Sequence, residues 1–315
     1  MVRTRKCMGT ECRFDAWATD EETVERAFAR GFDEIERIEA LTTSWRDTSE
    51  VAHINAAAGK AAVAVSVDTL AIIEKSLWVS ALTDGAFDIT VGVYKGLWKF
   101  DEDNDGSIPD RREVEKRRKL VNWHDVIVDH AARTVRLRRP GQAINLGGIA
   151  KGYAVDAAVK AIRAGGLRDF IVHAGGDLFA AGRHGDRDWH VGIQDPRGPH
   201  GKIIFEIALA NQAFNTSGDY ERFIIREGVR YHHILDARTG FPARTTRSVT
   251  LLASDSFTAD ALDTGIFAVG PERGMKIIEQ LPDVEGVIVD AQNRVWISSG
   301  LRERLIKRGE PSPGI

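Results

Sequence analysis

The sequence is poor in cysteine. Its 315 residues contain two, Cys7 and Cys12, spaced CxxxxC near the N-terminus with no further cysteine or histidine beside them. A pair of this kind reads as structural or incidental rather than as a metal site, and nothing in it requires an oxidising compartment. Long apolar runs are missing as well: no stretch approaches the roughly 18 to 20 residues that span a bilayer as a helix. The basic opening MVRTRKCMGTECRFDAW lacks the apolar segment of a signal peptide, and no such segment precedes Cys7 as it would a lipoprotein cysteine. As given, the chain reads as cytoplasmic; a chain whose leader had been trimmed would read the same. Charge of one sign is also absent. Lys and Arg number 43 against 46 Asp and Glu, a net of -3, so no global basic field points to nucleic acid. No internal repeat and no low-complexity linker divides the chain.

What remains is a globular composition, 43% hydrophobic and 28% charged, at a length that can bury a sizeable core in one large domain or two ordinary ones. Apolar spacing predicts an amphipathic helix over 21–41, with Val24, Phe28, Gly31, Ile35 and Ile38 on one face, and a second over 69–83. Met8 to Ala18 reads as a short strand. Val63, Val65 and Val67 alternate like another. Residues 126–138 and 286–298 read as hairpins turning near Ala131-Ala132 and Asn293. Further strands are expected at 170–172, 189–193, 203–209 and 249–253. FNTSGDY (214–220) reads as a polar turn, and YHHILDARTGFP (231–242) as a strand entering a turn. A helix is expected from about Phe257, and Pro271 opens the last one. Asp110 and Glu113 fit a capping box for a short helix. Strands and helices mix without regular βαβ alternation, which favours α+β: mixed sheets with packed helices. The expected organisation is one domain over 1–315, with two interleaved lobes sharing one cleft.

The chain is organised around Ile144 to Asp156, INLGGIAKGYAVD. It passes through Gly147-Gly148 into a helix whose inner face is Ala154, Val155, Ala158, Val159 and Ile162. Such a turn presents unpaired N–H groups at a helix start, a place suited to an anion such as a pyrophosphate, and Lys151 adds a mobile positive charge. The stretch matches neither GxGxxG nor a P-loop, and a tight turn with a packing glycine pair would explain it equally. Asp260, Asp263 and Thr264 share a helix face at i, i+3 and i+4 and suit a hard cation such as Mg²⁺; an acidic helix start is the plainer account. The surrounding Ala261, Leu262, Ile266 and Phe267 weigh against that account, because acids amid apolar surface need a partner. His232 and His233 would face opposite ways on a strand, so only one can serve a given site, as general base or as structural histidine. Thr216 to Asp219 offers hydroxyls for a substrate or simply for a turn. Trp45 and Phe87 could stack on a planar ring or anchor a core. Asp101, Asp103, Asp105 and Gly106 imitate the start of an EF-hand loop. Position twelve, however, would be Arg112, where a bidentate glutamate is required, so the stretch reads as an acidic turn.

Taken in order, these pieces resemble the FAD:protein FMN transferase (ApbE) family over nearly the whole chain. The carrying segments are MGTEC, TSWRDTSEVAHIN, GAFDITVGVYKGLWKF, INLGGIAKGYAVD, HAGGDL, TSGDYERF, YHHILDARTGFPA and TADALDTGIFAVGPERG. The resemblance implies FAD as substrate in the cleft, with Met8, Trp45, Ala86, Phe87, Asp88, Asn145 and Leu235 lining it and Lys151 on the diphosphate side. It implies Mg²⁺ held by the Gly148 carbonyl, Asp260 and Thr264, and it places His233 rather than His232 at the family's histidine. The implied reaction cuts the FAD pyrophosphate and passes FMN to a threonine or serine hydroxyl of a carrier flavoprotein, releasing AMP. Lys151 would then draw off developing charge and His233 would help deprotonate the acceptor. The same residues would also serve an FAD pyrophosphatase giving FMN and AMP, or a non-catalytic FAD-binding protein. Four positions depart from the family pattern: Asn145 replaces an aspartate, His173 a polar amide, Ala237 a proline, and Asp263 a small residue outside the implied metal set. The family is often exported, so a periplasmic, membrane-associated location is implied if a leader has been removed.

Overall fold

Alternation along short segments sets up the central sheet. In Thr10–Ala16, Cys12, Phe14 and Ala16 are buried while Glu11 and Arg13 are exposed, the period of two that a pleated strand imposes. The computed structural model describes residues 1–100 and 103–314. Eight strands form one antiparallel sheet: Val2–Cys7, Thr10–Ala16, Phe170–Ala174, Asp177–Ala181, Gln212–Gly218, Thr246–Ala253, Glu285–Asp290 and Val295–Ile297, side by side in that order. Spatial order therefore follows chain order, and the rest of the chain is inserted between neighbouring strands.

On one face Phe14, Val172, Phe179, Ala213, Val249 and Leu251 belong to the main core, which they share with the helices Glu21–Thr42, Val67–Leu82, Ala150–Ala164, Ser256–Val269 and Pro271–Gln280. On the other face Ala180, Phe214, Leu252, Val287 and Val289 pack against a three-stranded sheet of Trp189–Gln194, Ile203–Leu209 and Ile306–Lys307. A small third core gathers Val93, Tyr94, Trp98 and Val114. The architecture is α+β. No helix among the described residues is long and apolar enough to cross a membrane.

The long helix Glu21–Thr42 starts at Asp20, whose side chain accepts from Thr23 N, and buries Val24, Phe28, Gly31, Ile35 and Ile38, the stripe that its spacing predicts. Ser256–Val269 is different. It is buried on nearly all sides, so its polar residues must find partners inside the protein. Its start is capped twice: Asp255 accepts from Thr258 N at 2.7 Å, and the Asp156 carboxylate accepts from Ser256 N and Phe257 N at 2.9 Å each. Gly270, at φ +87°, ends it, and Pro271 opens the next helix.

Three sequence expectations change. Met8 to Ala18 is not one strand: Met8 and Gly9, both at positive φ, turn the hairpin between Val2–Cys7 and Thr10–Ala16. Val67 begins a helix, capped by Ser66, instead of ending a strand. FNTSG is not a turn but part of a central strand, Gln212–Gly218, paired on both sides. The EF-hand reading depends on Asp101, which lies outside the described residues; Asp105 is taken up by Lys99 and by Ser107 N, as in an acidic turn.

Candidate active site

The glycine turn is held from both directions. Asn55, from the helix Glu50–Ala56, brackets Ile144: its Oδ1 accepts from Ile144 N at 2.7 Å and its Nδ2 donates to Ile144 O at 3.0 Å. Asn145 Oδ1 then accepts from Gly147 N at 2.7 Å. Asn145 is thus engaged in shaping the turn, which accounts for an amide where the resemblance leads one to expect aspartate: the turn needs an acceptor oxygen, not a charge. Gly148 follows. A Cβ built there would lie 3.4 Å from Thr264 Cγ2 and 3.5 Å from the Phe87 ring. The structure therefore brings Gly148, Thr264 and Phe87 together.

The helix Ala150–Ala164 has no side-chain N-cap of its own. The Asp260 carboxylate serves instead, accepting from Gly152 N at 2.6 Å. The two helices cross so closely that a Cβ at Gly152 would lie 2.3 Å from Ser256 O and 2.6 Å from Asp260 Cβ. Only glycine fits there. Lys151 is not the mobile charge that the sequence suggested. Its ammonium is clamped against Asp177, with Asp260 Oδ1 at 3.5 Å. Burial opposes that charge, but the fields of Asp177 and Asp260 outweigh it and hold the lysine above its ordinary pKa.

Asp177, Asp260 and Asp263 each place a carboxylate oxygen so that the three lie within 4.8 Å of one another, and all three residues are buried. Burial, reinforced by Asp260, pushes Asp177 up to about 7 against the pull of Lys151. Burial and the same neighbours push Asp263 well above the carboxylate range. Asp263 Oδ1 accepts from Ser217 Oγ at 3.0 Å and from Thr264 Oγ1 at 3.3 Å, and the two hydroxyls are 3.2 Å apart. Its Oδ2 is buried without a hydrogen-bond partner among the described residues. Three carboxylates, one of them with an unpartnered oxygen, and two hydroxyls form a hard, oxygen-rich donor set that fits a divalent cation.

His232 and His233 separate as a strand dictates. His232 is buried, with Nε2 2.7 Å from Ala243 O and Nδ1 accepting from Ile234 N. Burial drives it down to about 4, and it is structural. His233 is exposed, yet enclosing protein and the positive charges of Arg222 and Lys151 push its imidazole down to about 3. The imidazole is therefore neutral at neutral pH. Its Nδ1 lies 3.3 Å from Arg222 O. A proton on Nδ1 satisfies that carbonyl and leaves the Nε2 lone pair as the acceptor. Arg222 in turn donates to Gly9 O at 3.0 Å, tying the hairpin turn that carries Met8 to the histidine. Met8 is half-buried, and its N–H donates to Glu39.

The other predicted residues fall elsewhere. Trp45 is 63% exposed with the Lys95 ammonium 4.4 Å from its ring centroid, which makes it a surface platform and not a core anchor. Asp88 caps the 3₁₀ segment Ile89–Tyr94, accepting from Thr90 N and Oγ1 and from Trp123 N. It is nearly saturated, although it also edges a cavity of about 200 Å³ shared with Arg118, Trp123 and Arg238. Ala86 is buried, and its carbonyl accepts from Ala237 N at 3.0 Å, a bond that proline at 237 could not donate. Leu235 packs against the third core, around Tyr94 and Trp98.

Sequence reasoning passed over Asp177, Gly152 and Asn55, and it offered Ser217 to a substrate or a turn rather than to Asp263. Each had a trace: an aspartate directly after the glycine pair of AGGDL, a hydroxyl two positions from Asn215 on one strand face, and a helix glycine four residues before Asp156. Asn55 closes the quoted segment TSWRDTSEVAHIN.

Comparison with known proteins extends this picture. The description of the ApbE family matches residues 8–288. The chain is 33% identical to the FAD:protein FMN transferase of Treponema pallidum (strain Nichols), covering 96% of this chain and 88% of that one. It is 31% identical to one from Klebsiella pneumoniae (strain 342), covering 95% and 92%. Among solved structures, the ApbE protein of Thermotoga maritima superposes with a TM-score of 0.85 at 33% identity, covering 98% and 99%. The flavin transferase ApbE of Vibrio cholerae does so at 0.85 and 26% identity, covering 96% and 98%. With the family's segments in order from the first hairpin turn to the penultimate sheet strand, the chain belongs to the ApbE family.

Proposed function

We propose that the protein transfers FMN from FAD to the hydroxyl of a threonine or serine on a carrier flavoprotein and releases AMP, with Mg²⁺ as the cation. The observation that carries this reading is the buried group of Asp177, Asp260 and Asp263, with one carboxylate oxygen lacking a partner among the described residues, on the same stretch of chain that leads from Ser217, bonded to Asp263, to Arg222, whose carbonyl lies against His233. Relatives named FAD:protein FMN transferase supply the substrate class.

Asp260, Thr264 Oγ1 and the Gly148 carbonyl would hold Mg²⁺. When bound, the ion neutralises negative charge on the diphosphate during phosphoryl transfer, a reaction that depends on alignment and charge more than on covalent help. Asp177 holds Lys151 in place beside this group, so the ammonium is fixed where charge develops on the diphosphate oxygens. The glycine turn positions the FMN phosphate. Phe87 walls the turn, and Met8 and Trp45 are the surfaces left for the rings of FAD. His233 Nε2 accepts the proton of the acceptor hydroxyl. That oxygen then bonds to the FMN phosphorus, the bridging P–O bond breaks, and AMP departs with the bridging oxygen.

The test uses purified protein, FAD and Mg²⁺, with and without a carrier domain bearing an acceptor threonine. The expected result is AMP release that depends on the carrier, flavin fluorescence retained on the denatured carrier, and loss of both with EDTA. AMP and free FMN without carrier labelling would make the protein a pyrophosphatase. Bound FAD with no AMP under either condition would make it a binding protein.

A further inference from the structure

The cation set proposed above leaves Asp263 without a role, and Asp263 is the least satisfied group in the site. It is 0% exposed. Its Oδ1 has two hydroxyl partners, while its Oδ2 has none among the described residues. A buried carboxylate oxygen without a donor is destabilising unless something positive fills the gap. Helical spacing places Asp263 one turn from Asp260 on the same face, and a carboxylate oxygen of each, with one of Asp177, falls within 4.8 Å of the others.

We propose that Asp263 is a further ligand of the divalent cation and that it makes the cation resident, bound by the protein before FAD arrives. The inference rests on the cation reading of the site and goes beyond it. A charge count supports it. Ionised as ligands of a cation, Asp177, Asp260 and Asp263 would carry three negative charges, and Lys151 returns one positive charge. A divalent cation brings this group to neutrality without help from a substrate. With a small residue at 263, the same group would carry a net single positive charge once the cation was bound, and a diphosphate would complete the balance. Mg²⁺ is ordinarily held by one or two carboxylates plus substrate phosphates. A third carboxylate moves the site toward an all-protein cage, in which cation affinity depends little on FAD.

The experiment is titration of the purified full chain with Mn²⁺, followed by electron paramagnetic resonance and calorimetry, with and without FAD and with no carrier present. Mn²⁺ favours the same oxygen donors as Mg²⁺. The wild type should bind one Mn²⁺ without FAD, and FAD should tighten that binding by less than about tenfold. Asp263→Asn and Asp263→Ser should weaken FAD-free binding by about tenfold or more while FAD recovers much of the loss. Both variants should melt no lower than the wild type in EDTA, since each removes a buried carboxyl whose Oδ2 has no donor among the described residues. Asp260→Asn serves as the reference. Should it abolish Mn²⁺ binding while both Asp263 variants bind as the wild type does, Asp263 is not a ligand and the cation reading stands. Should Asp260→Asn also bind as the wild type, the cation reading fails and this proposal falls with it. Should the wild type bind Mn²⁺ only in the presence of FAD, the cation is not resident, and that result needs no variant.

Discussion

His232 and His233 are neighbours in the chain with opposite surroundings, and the strand they end separates them. His232 is held neutral inside the fold, lowered to about 4 by burial from an unfolded value near 6.5. Between those limits the unfolded chain takes up a proton that the folded chain refuses. Its contribution is therefore fully present above about pH 6.5 and is lost as pH falls toward 4, on the order of 3 kcal/mol in all. Urea unfolding across that range should show a shallower pH slope for His232→Gln; parallel slopes would remove His232 as the cause. His233 is predicted to behave differently. His233→Ala should abolish transfer to the carrier and leave FAD affinity within a fewfold, measured by transfer assay and equilibrium titration. Because its imidazole is held low, the acid limb of the wild-type rate should lie below the ordinary histidine value of about 6.5. Asn145 marks what was legible at this scale. The departure from aspartate was visible, but its harmlessness required the bond to Gly147 N. Asn145→Asp should retain activity, whereas Asn145→Ala, which leaves that N–H without its acceptor, should cost roughly 1 kcal/mol by denaturant titration.

At the level of elements, the sequence pattern revealed the long helices and misread several strands, one of them at the site. Glu21–Thr42 and Ser256–Val269 were readable because their apolar residues repeat at helical spacing. The strand Gln212–Gly218 read as a turn because Asn215, Thr216 and Ser217 are polar. Two of these side chains point into the site: Asn215 donates to Ser256 O and Oγ at 3.0 and 2.9 Å, and Ser217 reaches Asp263. A strand that carries a site on its buried face loses the apolar alternation by which strands are recognised. The crossing at Gly152 leads to a sharper expectation. Gly152→Ala would place a methyl group against Ser256 O and press the two helices apart, at about 1 to 3 kcal/mol, even though alanine is the better helix former. Chemical denaturation would read the loss. A variant as stable as the wild type would mean that the helices can separate freely, and Asp260 would then no longer be fixed by its contact with Gly152 N.

For the molecule as a whole, stability and cation occupancy are expected to be linked. A cation that binds only the folded carboxylate group adds about 2.7 kcal/mol at a hundredfold excess over its dissociation constant. The melting temperature should therefore rise with Mg²⁺ and fall with EDTA, and identical melts in the two would sever the link. The order of the sheet has a consequence of another kind, during synthesis. The hairpin of Val2–Cys7 and Thr10–Ala16 is made before the other strands of this sheet, and the partner of its inner strand, Phe170–Ala174, follows about 150 residues later. At about 5 to 20 residues per second, the backbone edge of Thr10–Ala16 waits some 10 to 30 s on the ribosome before it can pair. An unpaired edge invites association with other nascent chains. Glu11, Arg13 and Asp15 alternate with the buried residues of that strand, and charges at that spacing are what an edge needs to stay single while it waits.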